Sequence, residues 1–150
     1  MAHTYSSLYY HVAFSTRGRK NLIPQEQLAR LHAYMAGTAR KLDAGFAEVG
    51  GTTDHTHMLL SLPTDVTVAH AVNGIKSNSS RWLHGRGEGM AGFAWQEGYG
   101  AFTVSRSNVD AVRRYVRRQP EHHRISGFEE EFRALLEKHG IAYDERHLWG

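Results

Sequence analysis

The sequence predicts an α+β domain of the ferredoxin-like type, an antiparallel βαββαβ sheet with an additional C-terminal helix bearing Tyr115 and a short helical tail. Three observations predict it. β-rich segments alternate with amphipathic stretches in the order strand, helix, strand, strand, helix, strand; Pro24, Pro63 and Pro120 fall at the edges of helical stretches; and 150 residues, 41% of them hydrophobic, fill one core rather than two. In such a domain two helices cover one face of the sheet, and the other face is expected to stand free for a ligand.

Ser7 to Ser15 is aromatic and β-rich and reads as the first strand, with a basic loop, Thr16-Arg17-Gly18-Arg19-Lys20, after it. Pro24 opens a helix in which Leu28, Leu31, Met35, Thr38 and Leu42 form one stripe. Gly45 to Gly51 and Asp54 to Leu62 are two strands joined by a hairpin at Gly51-Thr52-Thr53. A second helix runs from beyond Pro63 to near Gly85, with Val68, Val72, Ile75 and Trp82 inward. The glycine-rich stretch 85–92 reads as a mobile loop, and Gly100 to Ser105 as the fourth strand. Ser107 with Asp110 resembles a capping box, starting the third helix near Asn108 and ending it before Pro120. Phe128 to His139 is the last helix.

Charge divides the chain. Residues 1–125 carry 15 Lys/Arg against 9 Asp/Glu, and residues 126–150 carry 3 against 6. The expected organisation is one domain over 1–150, with a basic core at 1–125 and an acidic helical tail at 126–150. A basic body suits a phosphate-rich partner. The tail is expected to pack near the basic helix and regulate access to it. The absence of cysteine excludes disulfides and zinc–thiolate centres. Met1-Ala2-His3-Thr4 lacks the regions of a signal peptide, and no apolar run reaches bilayer length, so a cytoplasmic protein without membrane contact is expected.

The chemistry-bearing residues are few. On a strand His55 and His57 project from one face, with Leu59 and Ser61, while Thr56, Met58, Leu60 and Leu62 face the helical layer. On a helix Tyr115 and Gln119 share a face. Two imidazoles and one amide oxygen make a neutral, half-filled coordination sphere that suits Mg²⁺ or Mn²⁺ and leaves positions open to a phosphate. A phenol is a weak nucleophile and then a good leaving group, so attack on phosphorus is reversible. The combination fits breakage and rejoining of a phosphodiester chain. No nucleotide cofactor is expected, because Gly74-Ile75-Lys76-Ser77 lacks the upstream glycine of a phosphate-binding loop. Arg113, Arg114, Arg117 and Arg118 straddle Tyr115. With Arg17, Arg19, Lys20, Lys76 and Arg81, and with His122 and His123 beyond the helix, they are candidate DNA contacts. Tyr9, Trp95, Tyr99 and Phe102 are candidates to stack unpaired bases, against the commoner role of such aromatics in a core.

These segments together resemble the single-tyrosine transposases with a paired-histidine (HUH) motif, the IS200-like and especially the REP-associated tyrosine transposases of bacteria. The resemblance rests on Tyr10-His11-Val12-Ala13-Phe14-Ser15-Thr16, Gly50-Gly51 with Asp54-His55-Thr56-His57, Ile75-Lys76-Ser77-Asn78-Ser79-Ser80, Trp95-Gln96-Glu97-Gly98-Tyr99-Gly100-Ala101-Phe102, and Tyr115-Val116-Arg117-Arg118-Gln119. It implies that His55, His57 and Gln119 hold the metal and that Tyr115 forms a 5′-phosphotyrosine link while freeing a 3′-hydroxyl. It also implies single-stranded DNA with small hairpins as substrate, and a homodimer. One departure is Thr56, where the family motif is usually hydrophobic; facing the helical layer, it touches packing more than metal binding.

Two other functions fit parts of the pattern. A non-catalytic single-strand binding module would keep the basic track without needing Tyr115, His55, His57 and Gln119 together. A metal-dependent hydrolase using water would work without Tyr115. A two-histidine phosphoesterase is excluded, since no His-x-Ser or His-x-Thr occurs in the chain.

Overall fold

In the computed structural model, which describes residues 3–121 and 127–149, four strands form one antiparallel sheet: β1 (Tyr9–Ser15), β2 (Phe46–Gly51), β3 (His55–Ser61) and β4 (Gly100–Val104), in the order β2-β3-β1-β4. β1 lies in the centre, with Ala13 opposite His57 and Ser15 opposite His55 on β3, and Ala13 opposite Gly100 on β4. This is the ferredoxin-like order. Helices α1 (Leu28–Lys41) and α2 (Val68–His84) cross between strands and lie on one face.

Strand alternation sorts the side chains as the sequence implies. Val12, Phe14, Met58, Leu60 and Leu62 join Leu31, Met35, Val72, Ile75 and Leu83 in the main core beneath α1 and α2. Thr56 is fully buried on this side, and its hydroxyl donates to the Gly50 carbonyl at 3.2 Å, so the polar atom in the histidine motif is satisfied by backbone. α1 begins after a 3-10 turn, Gln25–Gln27, that follows Pro24, and Thr67 caps α2 by accepting from the His70 amide at 3.1 Å.

The other face differs from the expectation that it stands free. α3 (Val109–Arg117) lays Val109 and Val116 on Leu59, and α4 (Phe128–Lys138) lays Phe128, Phe132 and Leu136 over Ala13 and Phe102. Two glycines make that approach possible. A Cβ on Gly50 would stand 2.1 Å from the Val116 carbonyl oxygen, and one on Gly100 2.7 Å from the Phe132 ring. The tail is thus a structural layer, because the i, i+4, i+8 stripe Phe128, Phe132, Leu136 buries three side chains worth about 1.5–3 kcal/mol each.

Two local expectations are also corrected. Asn108 caps α3 with no side-chain bond; a 3-10 turn, Arg106–Asn108, precedes the helix instead, and Ser107 spends its hydroxyl on Ser105 at 3.1 Å. The glycine-rich stretch is anchored, with Met90 buried in a 3-10 turn and Phe93 and Trp95 entering the core just after it. Among the described residues no helix is long and apolar enough to cross a membrane.

Candidate active site

β3 sends His55 and His57 into the layer between the sheet and helices α3 and α4, where both are at most 1% exposed. Each ring is held through Nδ1. His55 Nδ1 lies 2.6 Å from Asp54 Oδ1 and 3.0 Å from Thr52 Oγ1, and Thr52 in turn donates to Asp54 at 2.9 Å. His57 Nδ1 lies 2.8 Å from His11 Nε2, the next site-facing residue but one along β1 from Ser15. Orientation through Nδ1 leaves both Nε2 atoms turned to one place.

Two oxygens meet them there. Gln119, fully buried just past the end of α3, brings Oε1 to 2.8 Å from His55 Nε2, and Glu131 of α4 hydrogen-bonds His57 Nε2. With Nδ1 turned to Asp54, His55 Nε2 faces the acceptor Gln119 Oε1 across a shared hydrogen or cation. Ligand atoms of His55, His57 and Glu131 all lie within 4.8 Å of one another. Imidazole, amide and carboxylate donors together fit Mg²⁺ or Mn²⁺.

Tyr115 completes the group. Its ring centroid is 5.4 Å from that of His57 and 5.7 Å from that of His11, both edge-on. Burial pushes the Tyr115 hydroxyl well above the ordinary phenol range, and the Glu131 carboxylate beside it, which accepts its hydrogen bond, pushes it further. Burial also acts to raise Glu131, but hydrogen bonds from His57 and Tyr115 and the nearby imidazoles hold it below the usual carboxylate value, so it is an anion. Burial, then the His57 ring, lowers His11 well below 6.5, so His11 is neutral and free to donate to or accept from His57. A cavity of about 390 Å³ between α3 and α4 opens directly onto His11, Tyr115 and Glu131, with Lys138 at its rim. A larger depression, about 560 Å³, lies between the Gln96–Tyr99 turn and the C-terminal residues and touches none of these groups.

The candidate DNA contacts are not equally available. Arg19 pairs with Glu129 at 2.6 Å and stacks on Trp149, Arg113 and Arg117 both pair with Glu48, and Arg81 bonds Asn78. Lys76 donates to the carbonyls of Gln96, Glu97 and Gly98 at 2.7 to 3.0 Å; burial pulls its pKa down to about 8, against the opposing charge of the Glu97 carboxylate. Arg17, Lys20, Arg114 and Arg118 are exposed. His122 and His123 lie outside the described residues.

Lys76 belongs to a scaffold that joins two of the sequence segments. Trp95 Nε1 donates to Ser79, and the Gln96 amide oxygen accepts from the Ser15 backbone N–H at 2.7 Å and its hydroxyl at 3.1 Å. That scaffold fixes the end of β1 opposite His55. Trp95 and Phe102 are core residues, at 6% and 3% exposure. The sequence reading missed the parts played by His11, Asp54 and Glu131. His11 shares the strand parity of Ala13 and Ser15 and was legible as site-facing from alternation, whereas nothing local distinguishes Glu131 from its acidic neighbours.

A ferredoxin-like sheet with a buried histidine pair, capped by a tyrosine-bearing helix, is the class that fold and site define. The pattern that describes the family Transposase IS200 like matches residues 4–119, and the chain belongs to that family. It is therefore a transposase, an enzyme of DNA cleavage and strand transfer. A crystal structure from Deinococcus radiodurans R1, provisionally named a transposase, is similar in fold: TM-score 0.62 and 19% identity, over 77% of this chain and 93% of that one. A REP-associated tyrosine transposase bound to a REP hairpin is similar over 77% of this chain and 67% of its own, with TM-score 0.51 and 16% identity. No curated protein matches the chain.

Proposed function

We propose that this chain is a metal-dependent single-stranded DNA transposase that cuts and rejoins DNA at hairpin-containing ends through a 5′-phosphotyrosine intermediate at Tyr115. The observation that carries the reading is the meeting, within one chain, of Tyr115 with the buried His55 and His57. His55, His57 and Gln119 hold Mg²⁺ or Mn²⁺, with Asp54 and His11 fixing the two imidazoles from behind. The bound ion supplies positive charge that orients and polarises the scissile phosphate.

In this reading Tyr115 Oη forms a bond to phosphorus as the bond to the 3′-oxygen breaks, and the 3′-oxygen leaves as a hydroxyl after taking up a proton. The ester keeps the bond energy, so a second 3′-hydroxyl can reverse the step on a new strand. Arg17, Lys20, Arg114 and Arg118 are the exposed cations suited to backbone phosphates, with Arg19, Lys76, Arg81, Arg113 and Arg117 placing loops and helices. The hairpin is proposed from the family resemblance and from the REP hairpin held by the similar structure. Placement of Tyr115 beside its own chain's histidines favours cleavage in cis, with a homodimer joining two such sites. The reaction belongs in the cytoplasm, where chromosomal DNA is reached.

The test is a covalent adduct. Labelled single-stranded hairpin oligonucleotides with Mn²⁺ or Mg²⁺ are expected to yield a denaturation-resistant protein–DNA product mapping by mass spectrometry to Tyr115, absent with a chelator and in Tyr115→Phe. Tight binding without an adduct would make the protein a binding module. Cleavage that survives Tyr115→Phe would make it a hydrolase using water.

A further inference from the structure

The acidic tail reaches the centre of the site, and its reach is specific. Of the three consecutive glutamates of α4, Glu129 turns to Arg19 at the edge of the layer, whereas Glu131 turns inward to His57 and Tyr115. Glu131 is held there by the flanking Phe128 and Phe132, whose burial fixes the rotation and depth of the helix. Its side chain is 9% exposed, so this is a buried anion. Buried anions persist where they are matched by a cation.

We propose that Glu131 is a protein ligand of the divalent ion, completing with His55 and His57 a site that spans β3 and α4. The inference rests on the metal-dependent reading above. Two imidazoles and an amide leave the full double charge of the ion uncompensated in a largely buried layer, and one carboxylate halves it. The ligand atoms of Glu131 and the two histidines lie within 4.8 Å of one another, close enough to share one ion. His57 is equipped for the exchange: protonated at Nε2 it donates to Glu131, and with its proton moved to Nδ1 and given to neutral His11 it turns a lone pair to the ion. The tail helix is then a working part of the active site and not a cover laid over it.

Calorimetric titration of the full chain with Mn²⁺ alone tests this without DNA. One site is expected, lost in His57→Ala; Glu131→Gln is expected to raise the dissociation constant at least about tenfold, and Glu129→Gln, which removes the same charge from the same helix, to leave it unchanged. A second measurement needs no variant at Glu131: in chain carrying ¹³C-glutamate, diamagnetic Mg²⁺ should shift the carboxylate resonance of Glu131 and leave that of Glu129 in place. If the wild-type chain takes up no Mn²⁺, or His57→Ala leaves binding intact, the metal-dependent reading itself is lost. If His57→Ala abolishes binding while Glu131→Gln retains the wild-type constant and Mg²⁺ leaves the Glu131 resonance in place, Glu131 is not a ligand; faster DNA cleavage by that variant would make α4 a cover.

Discussion

His11 Nε2 stands 2.8 Å from His57 Nδ1, joining the central strand of the sheet to the buried histidine on the strand beside it. Both rings are almost without solvent contact, and burial with the neighbouring imidazole keeps His11 neutral. A neutral imidazole in this position accepts the Nδ1 hydrogen of His57 and fixes which nitrogen faces the site. Replacement by phenylalanine keeps the ring volume and removes the acceptor. His11→Phe is expected to lower Mn²⁺ affinity about 10- to 100-fold, the usual effect of losing such a partner, while leaving the melting temperature near that of the wild type. Calorimetry beside a thermal melt separates the two effects.

Gly50 sets the height of α3 above the sheet. Any side chain there meets the Val116 carbonyl at 2.1 Å, and Val116 is the residue after Tyr115. Backbone cannot yield as a rotamer can, so α3 must shift. Gly50→Ala is expected to cost about 1–3 kcal/mol in a denaturant titration. It is also expected to reduce adduct formation by more than the folded fraction explains, because Tyr115, the proposed nucleophile, moves with the helix. An adduct yield that tracks the folded fraction would show that the Tyr115 position tolerates the shift.

The four arginines around Tyr115 are predicted to divide by whether a carboxylate already pairs them. Arg114 and Arg118 are exposed, whereas Arg113 and Arg117 share Glu48. A cation already paired gains less from a phosphate, since it must release its carboxylate. Arg114→Gln and Arg118→Gln are each expected to reduce the slope of log affinity against log salt for single-stranded DNA by about 0.7, and Arg117→Gln by clearly less. Fluorescence anisotropy over a salt series reads all three. Equal slopes for the three variants would mean that Glu48 releases Arg117 on binding.

What the sequence shows plainly is what period and parity encode. The alternation Thr56, Met58, Leu60 against His55, His57, Leu59 depends on strand geometry alone, and it is realised residue by residue. Tyr115 and Gln119 both reach the histidines, although α3 ends at Arg117 and Gln119 lies beyond it instead of on the same helical face. What it concealed is set by pairs distant in the chain. Lys76 looks like a phosphate contact until its ammonium is found against three carbonyls, 20 to 22 residues away. Glu131 looks like one more solvated glutamate until Phe128 and Phe132 turn it inward across 74 residues to His57. The sheet face judged free is the one on which α3 and α4 close, and that closure depends on Gly50 and Gly100, whose value lies in side chains they lack.

His32 of α1 provides the acid limb of stability. Its Nε2 is buried with no hydrogen-bond partner, and burial, helped by the charge of His55, lowers it to about 4 from 6.5. The unfolded chain therefore takes up this proton near pH 6.5 and the folded chain only near 4. The contribution is fully present above 6.5 and is lost as pH falls through that window, by up to about 3 kcal/mol. His32→Leu removes the group that must be kept uncharged. The variant is expected to melt at a temperature closer to its own neutral value at pH 4.5 than the wild type does, with the two pH profiles running parallel above pH 7. Other histidines titrate in both proteins, so the difference between the profiles belongs to His32. Profiles parallel down to pH 4.5 would mean that protonated His32 finds solvent through a local opening of α1.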